Sequence, residues 1–482
     1  MLTSLMSTFS DYSVAFINAS NDFLWSYVLI VLLIAAGLYF TVRSKFVQFT
    51  LFGEMVRLLA DGRSEGGKNS VSSFQAFCMS TASRVGTGNL AGVAIAVGTG
   101  GPGAVFWMWL IALIGSASAF VESTLAQIYK ERTDDGYRGG PAYYIEKALK
   151  NRSLGVVFSV LITICFGFIF NAVQANTIAA AFHGAFGIET SYMAILLVLV
   201  AAPVIMGGVK RIAVVSEMIV PVMAIAYLMV VFYVLAINYK TIPEVFSLIF
   251  DSALGLRPLA SGALGAALMQ GIKRGLFSNE AGMGSAPNAA ATASVSHPVK
   301  QGLIQTLGVF TDTILICSAT AVLILVSGVD TIGTHDGIKL TQNALQSQVG
   351  DWGRSFIALC ILLFAYSSIV GNYFYGESNI SFMHRGDKKL SLLYRLMVLV
   401  MLVFGAMVNA ETVWALADLF MALMAIVNIY AIIRLSPIAF KALADYKMQK
   451  KTGKSPVFVA DEVGITEGVE CWESAKEREE VA

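Results

Sequence analysis

Ser83-Arg-Val-Gly-Thr-Gly-Asn-Leu-Ala-Gly92 is a polar, glycine-broken run set inside an apolar stretch of membrane length. A second such run, Phe277-Ser-Asn-Glu-Ala-Gly-Met-Gly-Ser-Ala-Pro-Asn288, interrupts another apolar stretch past mid-chain. In hydrocarbon, each unpaired backbone amide is costly. Non-helical backbone therefore persists there only where protein or a watery cavity surrounds it. Both runs need such a setting.

The rest of the chain supports a membrane reading. Of 482 residues, 56% are hydrophobic and only 13% charged, with a mean hydropathy of +0.70, far from a soluble domain. A net charge of +1 gives no reason to expect nucleic acid as a partner. Cys78, Cys165, Cys317 and Cys360 lie in apolar segments and Cys471 in a polar tail, so free thiols are expected. Residues 1–22 contain no Lys or Arg, and no signal peptide is read there.

A span needs roughly 20 mostly apolar residues. That ruler yields eleven: a lead span at 23–42, then core spans at 72–98, 103–129, 155–184, 191–208, 211–237, 259–296, 299–328, 352–384, 391–408 and 411–434. Basic residues cluster on alternate sides. Arg43, Lys45, Arg57, Arg63 and Lys68 follow the lead span, and Lys130, Arg132, Arg138, Lys147, Lys150 and Arg152 follow the second core span. Lys210, Arg211, Lys300, Arg385, Lys388, Lys389 and Arg395 continue the series, while 99–102, 185–190 and 408–411 have none. Lys240 and Arg257 are a mild exception. The positive-inside rule then places the N-terminus outside and the tail inside.

On that orientation the first broken span runs outward and the second inward, each opening a block of five. Broken helices in corresponding positions of two inverted halves point to the binding site of a secondary transporter. The chain divides into a lead region at 1–70, repeats at 71–258 and 259–440, and a tail at 441–482. Residues 45–62 read as an interfacial helix, 134–141 as a turn, 330–350 as an outer loop tipped by His335 and Asp336, and the tail as charged, flexible and cytoplasmic.

Arg84, Glu122, Lys273, Arg274, Glu280 and Asp312 all fall inside spans, where ionisable groups pair with one another or serve a moving ion or proton. Glu122 and Glu280 sit where one of them could brace bare amides of a broken helix. For Arg84 the expectation is a salt bridge. The outer half of the first broken span starts near Gly88, offering free amides and a positive dipole end to a carboxylate. Its inner half ends near Val85, leaving carbonyls for a hard cation. Gln174 lies mid-span among Asn171 and Asn176, and Ser367 and Ser368 carry hydroxyls suited to a cation; bonding to a neighbouring helix or to their own is the alternative for each. All four histidines (His183, His297, His335, His384) fall near span ends, and no catalytic or metal spacing occurs at depth, so no enzyme is expected.

Val85-Gly-Thr-Gly-Asn-Leu-Ala-Gly-Val93, Gly139-Gly-Pro-Ala-Tyr-Tyr144, Asn279-Glu-Ala-Gly-Met-Gly-Ser-Ala-Pro287 and Tyr373-Phe-Tyr-Gly-Glu377 resemble the motifs of the alanine-or-glycine:cation symporter family, within the amino-acid/polyamine/cation superfamily. The resemblance covers residues 20–440. It implies an all-α polytopic membrane protein with the LeuT-type five-plus-five inverted repeat, one leading span and discontinuous first and sixth core helices. It also implies sodium-coupled import of small neutral amino acids by a plasma-membrane monomer (inner membrane in a Gram-negative cell). By position, Thr87, Gly88 and Asn89 would meet the substrate's carboxylate and amine with Gln174 alongside. Phe277, Gly282 and Met283 would wall its side chain, and the carbonyls of Ala82 and Val85 with Ser367 and Ser368 would hold sodium. Where the family often has Gly-Trp on the eighth core helix, this chain has Gly371-Asn372. Asn372 implies a roomier, more polar pocket, which makes glutamine the alternative substrate.

Overall fold

The computed structural model describes residues 14–62, 71–133, 136–256, 263–331, 333, 336–384, 387–453 and 455–472. Among these, eight helices are long and apolar enough to cross a membrane: α1 (Val14–Arg43), α5 (Gly103–Ile128), α7 (Arg152–Phe186), α9 (Gly208–Ile237), α13 (Pro298–Val326), α15 (Trp352–His384), α16 (Lys388–Met407) and α17 (Ala410–Lys451). The three other expected spans take different forms. One is the shorter α8 (Thr190–Ile205). The other two are broken: α3 (Ser73–Arg84) with α4 (Gly88–Gly100), and α11 (Ala263–Asn279) with α12 (Ala286–Ala290).

Each break has a local cause. Ser72 opens α3 with a capping box through Gln75, and Val85 leaves the helix with ψ 87°. After Asn279 the chain enters the left-handed region three times: at Glu280 (φ 58°), Gly282 (φ 84°) and Gly284 (φ 86°). Gly284 has no room for a side chain, since a Cβ there would lie 2.8 Å from both Asn428 and Pro141. Glu280 carries a side chain in a conformation that costs roughly 1–2 kcal/mol, so side-chain contacts must hold it.

The helices fall into two packed groups. α5 lies along α11 and α13, while α7 lies along α15 and α16. α9 touches both groups through α3 and α15. Wide π turns occur at Leu24–Leu29, Gly88–Gly92, Thr163–Phe170 and Phe310–Cys317. Such turns are rare and favour functional sites, and the last three border the two breaks.

Short elements decorate the two ends. One end carries α2 (Phe52–Asp61), where an interfacial helix was expected, a two-stranded hairpin (Glu131–Thr133 with Gly136–Arg138) and α6 (Pro141–Leu149). The opposite end carries α10 (Ile242–Leu254) and α14 (Gly337–Val349). The expected outer loop is thus largely helix, capped where Asp336 accepts from the Lys339 amide. His335, Asp134 and Asp135 lie outside the described residues.

The tail departs most from expectation. Helix α17 continues to Lys451, and residues 455–472 pack against the α6 end instead of standing free. Phe458, Val459, Ala460 and Ile465 are buried. The only local sign was the short apolar run Pro456–Ala460, whose partners lie far away in the chain.

Candidate functional site

The end of α3 meets α15 through oxygen atoms. Ser368 Oγ donates to the Ala82 carbonyl at 2.9 Å and Ser367 Oγ reaches it at 3.3 Å. Both hydroxyls also bond the Phe364 carbonyl of their own helix. Gly86 keeps this junction tight, as a Cβ there would lie 2.1 Å from Ser368 Oγ. Val85 is the residue at which α3 stops. A carbonyl at a helix end beside two hydroxyls is a set of hard oxygen donors, the kind that suits sodium.

At the start of α4, bare amides are met by side-chain carbonyls. Gly86 N donates to Asn89 Oδ1 at 2.9 Å, and Thr87 donates to Gln174 Oε1 through both its amide (3.0 Å) and its hydroxyl (2.7 Å). Gln174 therefore reaches across from α7 to the helix start, as its place mid-span suggested. Phe277 covers Gly88: a Cβ on Gly88 would approach its ring to 3.0 Å. Phe277 in turn stacks between Phe170 (4.6 Å) and Trp414 (4.7 Å). Behind this aromatic trio, Arg274 lies over Trp414 and pairs with Asp418 at 2.5 Å, with Lys273 at 3.3 Å. Lys273 and Arg274 are thus buried and paired.

The intramembrane acids have separate surroundings. Asp312 is fully buried and receives Asn89 Nδ2 (2.7 Å), Ser278 Oγ (2.9 Å) and Thr313 Oγ1 (2.8 Å). All its donors are neutral, and among the described residues no basic group forms an ion pair with it. Glu122 accepts from Gly282 N (3.2 Å) and Asn428 Nδ2 (2.7 Å), so it is the acid that braces a bare amide of a broken helix. Asn428 also donates to Gly282 O and accepts from Tyr144. Glu280 is held in its left-handed turn by Ser83 and Ser285.

Arg84 does not form the expected salt bridge. Its guanidinium donates to the backbone and side chain of Gln305 at 3.2 and 3.4 Å, and among the described residues it lies in no ion pair. Gly308 makes the space, because a Cβ there would meet Arg84 at 2.3 Å.

Asn372, expected in the pocket wall, lies beside Ser83 at the end of α3. Its amide lies 2.7 Å from Ser83 Oγ, which is also 2.7 Å from Glu280 Oε1. One hydroxyl proton cannot serve two acceptors. With the amide turned over, Asn372 Nδ2 donates to Ser83 and Ser83 to Glu280, so the Ser83 proton serves a single acceptor. Gly282 and Met283 are buried in the second break, Gly282 against Ser118 and Ile429. The structure thus gathers Ala82, Ser367 and Ser368 at one junction and Thr87, Gly88, Asn89, Gln174 and Phe277 at the next. Asn372, Gly282 and Met283 lie on surrounding elements. Trp414, Asp418 and Asn428 were not singled out from sequence. Their only signal was an acid, an amide and an indole within an apolar span.

This fold is that of alternating-access transporters built from inverted five-helix repeats. A solved structure of MhsT in complex with L-phenylalanine superimposes with a TM-score of 0.53 at 16% identity, covering 79% of this chain and 90% of that one. A manganese transporter from Eremococcus coleocola gives 0.50 at 14% identity, covering 82% and 90%. Within that class, the model of the sodium:alanine symporter family matches residues 10–460, and the chain belongs to that family. Its relatives include the probable sodium/glutamine symporter GlnT of Bacillus subtilis (strain 168), 55% identical over 95% of both chains. The sodium/alanine symporter AgcS of Methanococcus maripaludis is 36% identical over 88% of this chain and 95% of its own.

Proposed function

We propose that this protein imports a neutral amino acid together with sodium. The observation that carries the reading is the meeting of two capped groups at one helix break. Ala82 O lies with two hydroxyls on one side, and the Thr87 amide is capped by Gln174 Oε1 on the other. An amino-acid carboxylate carries the same kind of oxygen as Gln174, with more charge. It can displace that amide and gain the dipole of α4. Sodium takes the Ala82, Val85, Ser367 and Ser368 oxygens and ties α3 to α15, so substrate and ion favour the same closed arrangement.

Asp312 adds a second cation to this scheme. A fully buried carboxylate with only neutral donors, from α4, α11 and α13, and with Arg84 nearby but in no ion pair with it, is an acidic oxygen site that a co-transported cation can occupy. The α6 end is cytoplasmic on the positive-inside pattern. Phe170, Phe277 and Trp414, backed by Arg274 and Asp418, close the path from outside.

Alanine and glycine suit the family, while the 55% identical GlnT relative favours a second reading with glutamine preferred. Uptake of labelled alanine, glycine and glutamine into proteoliposomes, in sodium against choline, decides between them. Uptake indifferent to sodium would refute the coupling.

A further inference from the structure

Residues 455–472 make two kinds of contact. The first is buried and apolar or backbone-bonded. Phe458 N donates to Ser296 O at 2.8 Å, and Ser296 Oγ donates to Pro456 O at 2.8 Å. The Phe458 ring stands edge-on to His297 and to Trp472. Trp472 Nε1 donates to Gln127 O at 3.0 Å, and its ring lies 4.9 Å from the Lys130 ammonium. Outside the segment these partners lie at or just beyond the inner end of α5 (Gln127, Lys130) and just before α13 (Ser296, His297), within one helix group.

The second kind joins α6 through two ion pairs. Glu470 meets Lys147 at 2.8 Å, a largely buried ammonium that Glu131 also meets at 3.0 Å, and Glu467 meets Lys150 at the surface, while Gly468 lies against the Lys147 backbone. Helix α6 packs on the first turns of α7, which belongs to the other group. At this end a cavity of about 940 Å³ lies among the hairpin that follows α5, α6 and the inner ends of α15 and α16, lined by Arg138, Tyr143, Glu377, Ser381, Arg395 and Glu470 among others. The segment therefore bridges the seam that must part if the site is to open toward this end.

We propose that residues 455–472 form a strap across the cytoplasmic seam, fixed to α5 and α13 and released from α6 once per transport cycle. The asymmetry of its contacts gives the direction. The Phe458 contacts are buried and persist, whereas the Glu467–Lys150 pair is solvated and Glu470 is more than half exposed, so the bonds to α6 are the weaker ones. With the strap engaged, the two groups are held together and the cavity stays narrow. With Glu467 and Glu470 free, they separate. The proposal rests on the transport reading and on the α6 end being cytoplasmic.

The test uses the full chain carrying Ser381→Cys in the cavity wall, with Cys471→Ser removing the one cysteine that is not buried. A membrane-impermeant thiol reagent is applied from either side of oriented vesicles. Glu467→Lys with Glu470→Lys is expected to raise cytoplasmic labelling of position 381 by roughly 2- to 30-fold, the range two such pairs allow. Adding Lys147→Glu and Lys150→Glu, together with Glu131→Gln because Glu131 shares Lys147 at 3.0 Å, should restore the original rate by exchanging the charges. Labelling unchanged by the reversal, or not restored by the exchange, overturns the strap. Labelling solely from outside refutes the orientation instead. Sodium-independent uptake by the unreversed protein refutes the transport reading. A chain ending after Gly453 supplies a second variant: it should label faster than the intact chain, and equal labelling also overturns the strap.

Discussion

Gly86→Ala probes the junction of ion and substrate most directly. The added Cβ would lie 2.1 Å from Ser368 Oγ, 3.1 Å from Ser368 Cβ and 2.9 Å from Gln174 Oε1. Contacts under 3.0 Å essentially never occur, so the Ser368 hydroxyl must retreat by about 0.9 Å from the place where it reaches Ala82 O. Losing one oxygen contact to a charged partner costs about 1.5–3 kcal/mol. The sodium concentration for half-maximal uptake should therefore rise roughly 10- to 150-fold. Ser368→Ala should reproduce the sodium effect without disturbing Gln174. Ser367→Ala should do less, because that hydroxyl is farther from Ala82 and closer to Phe364 O. The assay is initial uptake against sodium concentration in proteoliposomes, normalised to incorporated protein. A Gly86→Ala protein that is folded, at normal level, and within about twofold of the wild-type half-saturation would refute the sodium role of this junction.

Other substitutions separate the roles of the buried polar groups. Asp312→Asn should lower the Hill slope for sodium toward one; an unchanged slope removes Asp312 from the set of cation ligands. Glu122→Gln places an amide NH2 against Asn428 Nδ2, a mismatch worth about 1–3 kcal/mol in a buried site. Its thermal midpoint in detergent should fall, and an unchanged midpoint would remove Glu122 as the brace of the second break. Asp418→Asn strips Arg274 of its partner, and breaking one side of a buried pair costs about 3–5 kcal/mol. A thiol placed at Gly88 by Gly88→Cys should then label faster from outside, whereas unchanged labelling would mean that the pair does not close the outer path. Asn372→Ala should alter cytoplasmic labelling more than the choice between alanine and glutamine, because the side chain meets Ser83. A clear change of substrate preference would return Asn372 to the pocket wall.

The broken helices were readable because hydrocarbon forbids bare amides. Glycines beside Thr87, Asn89, Ser278 and Asn279 at bilayer depth are tolerable only where the helix parts around a polar site. Gln174 was readable for a related reason, since an amide at mid-span must find a partner. Asn372 was harder. The family pattern says which residue replaces the indole, while the direction of its side chain is set by how α15 turns against α3. Asp418 and Asn428 lie in one long apolar run, and nothing local distinguishes the acid that pairs with Arg274 from a solvated one. The strap was illegible for a third reason. Phe458 lies in a run of five apolar residues, Pro456–Ala460, too short to specify a partner, and Trp472 sits between acids; their contacts come from Ser296, His297 and Gln127, far away in the chain.

Helix α14 reaches inward from the end opposite the strap. Its Thr341 hydroxyl donates to Leu90 O at 2.9 Å, and Gly337 sits so close to Ala91 O that a Cβ would meet it at 2.2 Å. The carbonyls it grips belong to α4, the half-helix whose first amides are proposed to meet the substrate. On the proposed orientation α14 is an external handle on an internal moving part. An antibody fragment seated on its exposed face would arrest the cycle without entering the pocket, and one that tolerated tilting would report each turnover as a movement at the cell surface.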